Sequence, residues 1–231
     1  MLRDTWLVAV KDLRIELTSR VVTAQILPFG VLVLILFGFA IQPNLRVVGE
    51  PQRAVIQEVA PGLFWLAVLL SALMALSRAF AVEATDGNLD ALRMAGIDPA
   101  GVFLGKALAV SAQLVVIELV LGAGSFIVFD APLVNPVLLV VTVILATLGV
   151  TFAGTLYAAV ASGLRTRDSL VPLLVLPVLA PVLLAATLAT RDALFADPAV
   201  PGWSWAALLG VFAVLYLGVG MLAFGPLLEE S

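Results

Sequence analysis

Apolar runs of about 20 residues, set apart by short clusters of charge, constrain this chain more than any other feature. In order they cover about 21–41, 62–79, 102–129, 135–161, 170–189 and 204–225. A helix rising about 1.5 Å per residue needs roughly 20 mostly apolar residues to cross a hydrocarbon core about 30 Å thick. Only 12% of the 231 residues are charged and 62% are apolar, whereas a soluble domain carries about 25% charge. The expected fold is therefore an all-α integral membrane protein, one transmembrane domain over residues 1–231 with six transmembrane helices. Residues 1–20 form an N-terminal amphipathic interfacial helix, and 83–98 form a short helix at the water boundary.

The stretch from Ala60 to Met94 shows how one span hands over to water. It opens with a break at Pro61-Gly62, runs apolar from Leu63 to Leu76 and meets its first charge at Arg78. Asp86 then suits an N-cap. Asp90 lies near the positive end of the following short helix and Arg93 near its other end, which capping and the helix dipole both favour. Leu89 and Leu92 recur at helical spacing on an apolar ridge too small to anchor in a bilayer. An ordinary connecting helix would look similar, and so would a helix seated in a groove on a partner.

Leu2, Trp6, Ala9, Leu13 and Leu17 recur at three and four residues while acids and bases fill the opposite face, the pattern of a helix lying along an interface. The seven charges among residues 1–20 are unlike a cleaved signal peptide, so this segment is expected to be retained. Lys and Arg then set orientation. Nine fall at the N-terminus, in 78–106 and in the 165–167 loop, against Arg46, Arg53 and Arg191 on the other side. This asymmetry predicts cytoplasmic termini and a cytoplasmic 83–98 segment. Arg78 and Lys106 would be membrane anchors, with Lys106 snorkelling outward.

The inventory excludes several chemistries. Without cysteine or histidine there is no disulfide, no thiolate and no Ser-His protease. Haem iron could be held only through Met1, Met74, Met94, Met221, Tyr157 or Tyr216, each of which equally suits packing or the interface. No catalytic residues and no metal ligands are assigned. Gly101-Val-Phe-Leu-Gly-Lys106-Ala is one residue short of a phosphate loop, and Ala107 stands where a magnesium-binding hydroxyl belongs.

Within the spans, Glu118 lies farthest from a boundary. A charged carboxylate there costs several kcal/mol unless paired or protonated, so it is either a functional group or a carboxyl satisfied by a neighbouring span. Gln113 is expected partly on the same side, sharing a polar seam. Pro172, Pro177 and Pro181 each remove a backbone donor, giving either a gating kink or a bent packing helix. Ala146, Gly149, Ala153 and Gly154 suit close helix contact or dimerisation.

APGLFW at 60–65, LLSALMALSRAF at 69–80, Glu83, Asp86-Gly87 with Leu89 and Leu92, Gly105-Lys106 and LVLPVLAPVLLAA at 174–186 resemble the heme exporter protein B family, the permease subunits of the bacterial cytochrome c maturation system. The resemblance covers nearly the whole chain. It implies an ABC-type permease subunit in the cell inner membrane, working as a homodimer with a cytoplasmic ATPase. A haem-handling membrane subunit and a small single-span subunit would complete the complex. ATP and magnesium would belong to the partner ATPase. This chain would bind no cofactor of its own and no nucleic acid, haem being cargo of the complex. Glu83, Asp86, Gly87, Leu89, Asp90 and Leu92 would couple it to the ATPase. The rival readings are an ABC-2 type exporter of a lipid, glycan or drug, and a scaffold that transports nothing.

Overall fold

The computed structural model describes residues 1–41, 52–84, 98–129, 132–162, 167–196 and 201–230. Seven α-helices follow one another among them: α1 Leu2–Ser19, α2 Leu27–Ile41, α3 Gln52–Ala84, α4 Pro99–Phe129, α5 Pro136–Ser162, α6 Arg167–Phe195 and α7 Gly202–Glu230. Six segments are long and apolar enough to cross a membrane: Val22–Ala40, Glu58–Phe80, Pro99–Phe129, Pro136–Ala161, Val171–Phe195 and Gly202–Pro226. The chain is thus a multi-pass, all-helical membrane protein, and an even number of crossings returns the C-terminal end to the side of α1.

Helix α3 is the axis of the bundle. Around it pack α2, α4, α5 and α6, while α7 closes the outside against α4, α5 and α6. Leu63, Trp65, Val68, Ala72, Leu76 and Phe80 are all buried, so the helix is apolar on more than one face because it meets neighbours on more than one face. The Trp65 indole N–H donates to Thr190 Oγ1 of α6 at 2.9 Å. The small residues of α5 serve contacts within the chain. Gly149 lies against Phe212 and Val182, Gly154 admits the Leu76 side chain, and Ala146 and Ala153 are fully buried.

Pro61-Gly62 does not break the chain. The helix begins at Gln52 and runs through both residues. Pro61 removes one donor near the end of the span, where the freed carbonyl can find water, so the helix tolerates it. Helix α6 likewise continues to Phe195, past the expected end near 189, and α7 runs through Pro226. Hydropathy sees only the membrane-crossing part of a helix that continues into water. In the first span the irregularity is a π-helical turn at Val22–Ile26, just before Pro28.

Helix α1 lies against the first turns of α4. Leu2, Trp6 and Leu17 are 79%, 69% and 77% exposed, whereas Thr5, Val8 and Ala9 are buried. Most of the apolar stripe therefore faces away from the protein, where an interfacial helix meets lipid, and Ala9 alone of that stripe is buried. The close approach is made possible by Gly101 and Gly105. A Cβ at 105 would stand 2.7 Å from Thr5 O and 2.6 Å from Val8 Cβ.

Candidate functional site

Two polar groupings sit at opposite depths of the bundle. The first joins α1 to the ends of α3 and α4. Arg20 takes a left-handed conformation (φ 53°) that ends α1. The Glu16 carboxylate accepts a hydrogen bond from Val22 N at 2.6 Å and pairs with Arg78 Nε at 3.6 Å. One carboxylate thereby fixes the elbow between α1 and the first span and ties both to α3.

Lys106 completes this grouping, and it does not snorkel outward. It is 1% exposed, with its ammonium 3.4 Å from Asp12 Oδ2, 3.1 Å from Ala79 O and 4.8 Å from the centre of the Phe80 ring. With α1 covering this face, a paired ammonium turned inward is satisfied without the stretch to the headgroups. The run that superficially suggested a phosphate loop lies inside a helix, its glycines forming the seat of α1 and its lysine binding α1 through Asp12. A water-sized cavity of about 30 Å³ lies beside the grouping, lined by Asp12, Glu16, Arg78 and Gln113 among others.

Gln113 therefore belongs with the charged grouping and not with Glu118. Five residues at about 100° each place the two side chains about 140° apart around the helix. The partner of Glu118 on its own helix face is Ser111. The Ser111 and Thr151 hydroxyls lie 2.9 Å apart, and Thr151 donates to Thr147 O. Thr147 Oγ1 lies 2.9 and 2.8 Å from the two carboxyl oxygens of Glu118. This seam of Ser111, Glu118, Thr147 and Thr151 runs between α4 and α5. Its sequence signal was the four-residue spacing of Thr147, Thr151 and Thr155, which marks one face of α5.

The second grouping, around Glu118, opens into a cavity of about 360 Å³ between α3, α4, α5 and α6, in the half of the bundle remote from α1. Its wall is apolar apart from Glu118, Ser125 and Thr190. Gly122 keeps it open, since a Cβ there would meet only Phe64, at 4.0 Å.

Pro172, Pro177 and Pro181 all lie inside the continuous helix α6, with Pro177 and Pro181 on its exposed face. Asp86, Gly87, Leu89, Asp90 and Leu92 lie outside the described residues. Glu83 lies in the last turn of α3.

Six apolar crossings, one of them a buried central helix, with an interfacial helix tied to one end by the Glu16–Arg78 and Asp12–Lys106 pairs, define a multi-pass helical membrane subunit. The sequence model of the CcmB protein family matches residues 3–231. The chain belongs to that family. Heme exporter protein B of Rhodobacter capsulatus is 36% identical over 137 residues, 58% of this chain and 62% of the relative. That of Paracoccus denitrificans is 36% identical over 150 residues, 64% and 68% of the two chains. That of Escherichia coli K12 is 34% identical over 104 residues, 45% and 44%.

Proposed function

We propose that this chain is the membrane permease subunit of an ATP-driven complex serving haem export in cytochrome c maturation. The family match over residues 3–231 carries the reading, and relatives bearing the name heme exporter protein B support it. In this reading a separate cytoplasmic ATPase supplies the energy, two copies of this chain pair in the inner membrane, and haem-handling and small single-span subunits complete the assembly. The termini and residues 83–98 face the cytoplasm.

The geometry supports a division of labour. The ATPase would act on the segment that follows α3, through Glu83, Asp86, Gly87, Leu89, Asp90 and Leu92. The Glu16–Arg78 and Asp12–Lys106 contacts tie the boundary ends of α3 and α4 to α1, so a displacement there is shared by three helices. This chain's part is mechanical, and the ATP and magnesium belong to the partner.

The test is to tag this chain in its own membrane, extract it in mild detergent, identify what co-purifies and assay ATP hydrolysis. Deletion of its gene should abolish c-type cytochromes. Recovery of an ATPase with haem-handling subunits supports the reading. An ATPase alone, with cytochromes intact after deletion, would move the chain to a general exporter. No ATPase would leave a scaffold.

A further inference from the structure

The cavity beside Glu118 has the features of a ligand site, and they do not depend on the function proposed above. Its rim includes Leu119, Val140 and Ile144, which are 69%, 57% and 51% exposed. On transmembrane helices those side chains face lipid, so the cavity opens sideways into the leaflet remote from α1. Gly122 and Ala123 leave room along one wall.

The polar groups inside are few. Glu118 is 4% exposed. The Ser125 hydroxyl, two turns along the same helix face and about 10 Å away at 1.5 Å per residue, is buried with no hydrogen-bond partner among the described residues. Among the described residues Glu118 is the only ionisable one of the wall, so a phosphate or carboxylate entering from lipid would meet no cation among them. Thr147 Oγ1 reaches the two carboxyl oxygens of Glu118 at 2.9 and 2.8 Å, so the carboxyl is held in place from α5 at the wall of the cavity.

We propose that this cavity is a binding site for a neutral lipid, its apolar chain lying along Gly122 and Ala123 and a hydroxyl or carbonyl group hydrogen-bonding to Glu118 or Ser125. An acid reached from lipid has a chemical signature. Dicyclohexylcarbodiimide, dissolved in the bilayer, is attacked at its central carbon by the carboxyl oxygen while the carboxyl proton passes to a nitrogen. The adduct rearranges to a stable N-acylurea with no leaving group.

The experiment treats native membranes holding the intact complex with this reagent, with a water-soluble carbodiimide, or with the first reagent after loading with monoolein, and maps the adduct by mass spectrometry. Glu118→Gln controls for labelling elsewhere, and Gly122→Phe fills the cavity. The expected result is an adduct at Glu118 from the membrane-dissolved reagent, lowered about tenfold by monoolein, as a site about nine-tenths occupied would give, and lowered likewise by Gly122→Phe. No adduct in native membranes overturns the proposal, since the face is then covered by a partner subunit. Equal labelling by the water-soluble reagent also overturns it, as does labelling insensitive to monoolein or to Gly122→Phe. The monoolein arm uses the native chain, so the test survives a variant that fails to fold.

Discussion

Replacing Gly105 by alanine tests the seat of α1 most directly. The new Cβ would stand 2.6 Å from Val8 Cβ and 2.7 Å from Thr5 O, whereas carbon atoms rest at about 3.5–4.0 Å. Neither obstacle is the free end of a side chain, so α1 must withdraw by about 1 Å at this point. The Asp12–Lys106 and Glu16–Arg78 contacts, at 3.4 and 3.6 Å, would lengthen with it. Overpacking of this kind costs about 1–3 kcal/mol. Any glycine-to-alanine change in a helix also gains about 0.8–1.0 kcal/mol of propensity, so the comparison must cancel that gain. Gly218→Ala does so, because a Cβ there meets nothing within 4 Å. Gly105→Ala should melt below Gly218→Ala by about 2–12 °C, taking about 2–4 °C per kcal/mol for a chain of this size. The assay is thermal unfolding of the detergent-solubilised protein. Equal melting temperatures would show that α1 does not rest on Gly105 and would refute the packing argument.

Other substitutions separate donors from acceptors. Thr190→Val strands the buried Trp65 N–H and should lower stability by about 1–3 kcal/mol. In a Trp65→Phe background, where the donor is gone, the same Thr190→Val change should cost less, and thermal unfolding of the two single variants and the double variant reads the difference with the lost ring volume cancelled. Glu118→Gln keeps a partner for Thr147 and should stay within about 1 kcal/mol of the native chain, while Thr147→Val deprives a buried carboxyl of its hydrogen bond and should lose about 1–3 kcal/mol by the same measurement. Changing Asp86 and Leu89 together should leave membrane insertion and assembly intact while ATP hydrolysis in the purified complex ceases to respond to this subunit. Unchanged coupling would remove that segment from the mechanism.

The spans were legible because hydropathy over about 20 residues leaves a membrane helix few alternatives. Their true lengths were less so. Residues 52–57 and 167–170 are helical outside the apolar segments, where backbone hydrogen bonding carries the helix on and hydropathy is silent. Glu118 stood out as an intramembrane acid, but its partner Thr147 lies 29 residues away on another helix, a relation fixed only by packing. Gln113 was misplaced for a reason already contained in the sequence, since five residues turn a helix by about 140°. Lys106 could not be read at all without knowing that α1 folds back over it, bringing Asp12 to a position 94 residues away.

Helix α3 has a further consequence. From Pro61 to Ala84 it runs without another proline, about 36 Å at 1.5 Å per residue. One end adjoins the segment proposed to receive the ATPase, and at Ala60 and Pro61, within its opposite half, the helix forms part of the wall of the Glu118 cavity. A continuous α-helix resists compression along its axis. A thrust delivered beyond Ala84 must therefore reappear as sliding or tilt at Pro61, making α3 a push-rod between the aqueous boundary and a lipid-facing chamber on the far side of the bilayer.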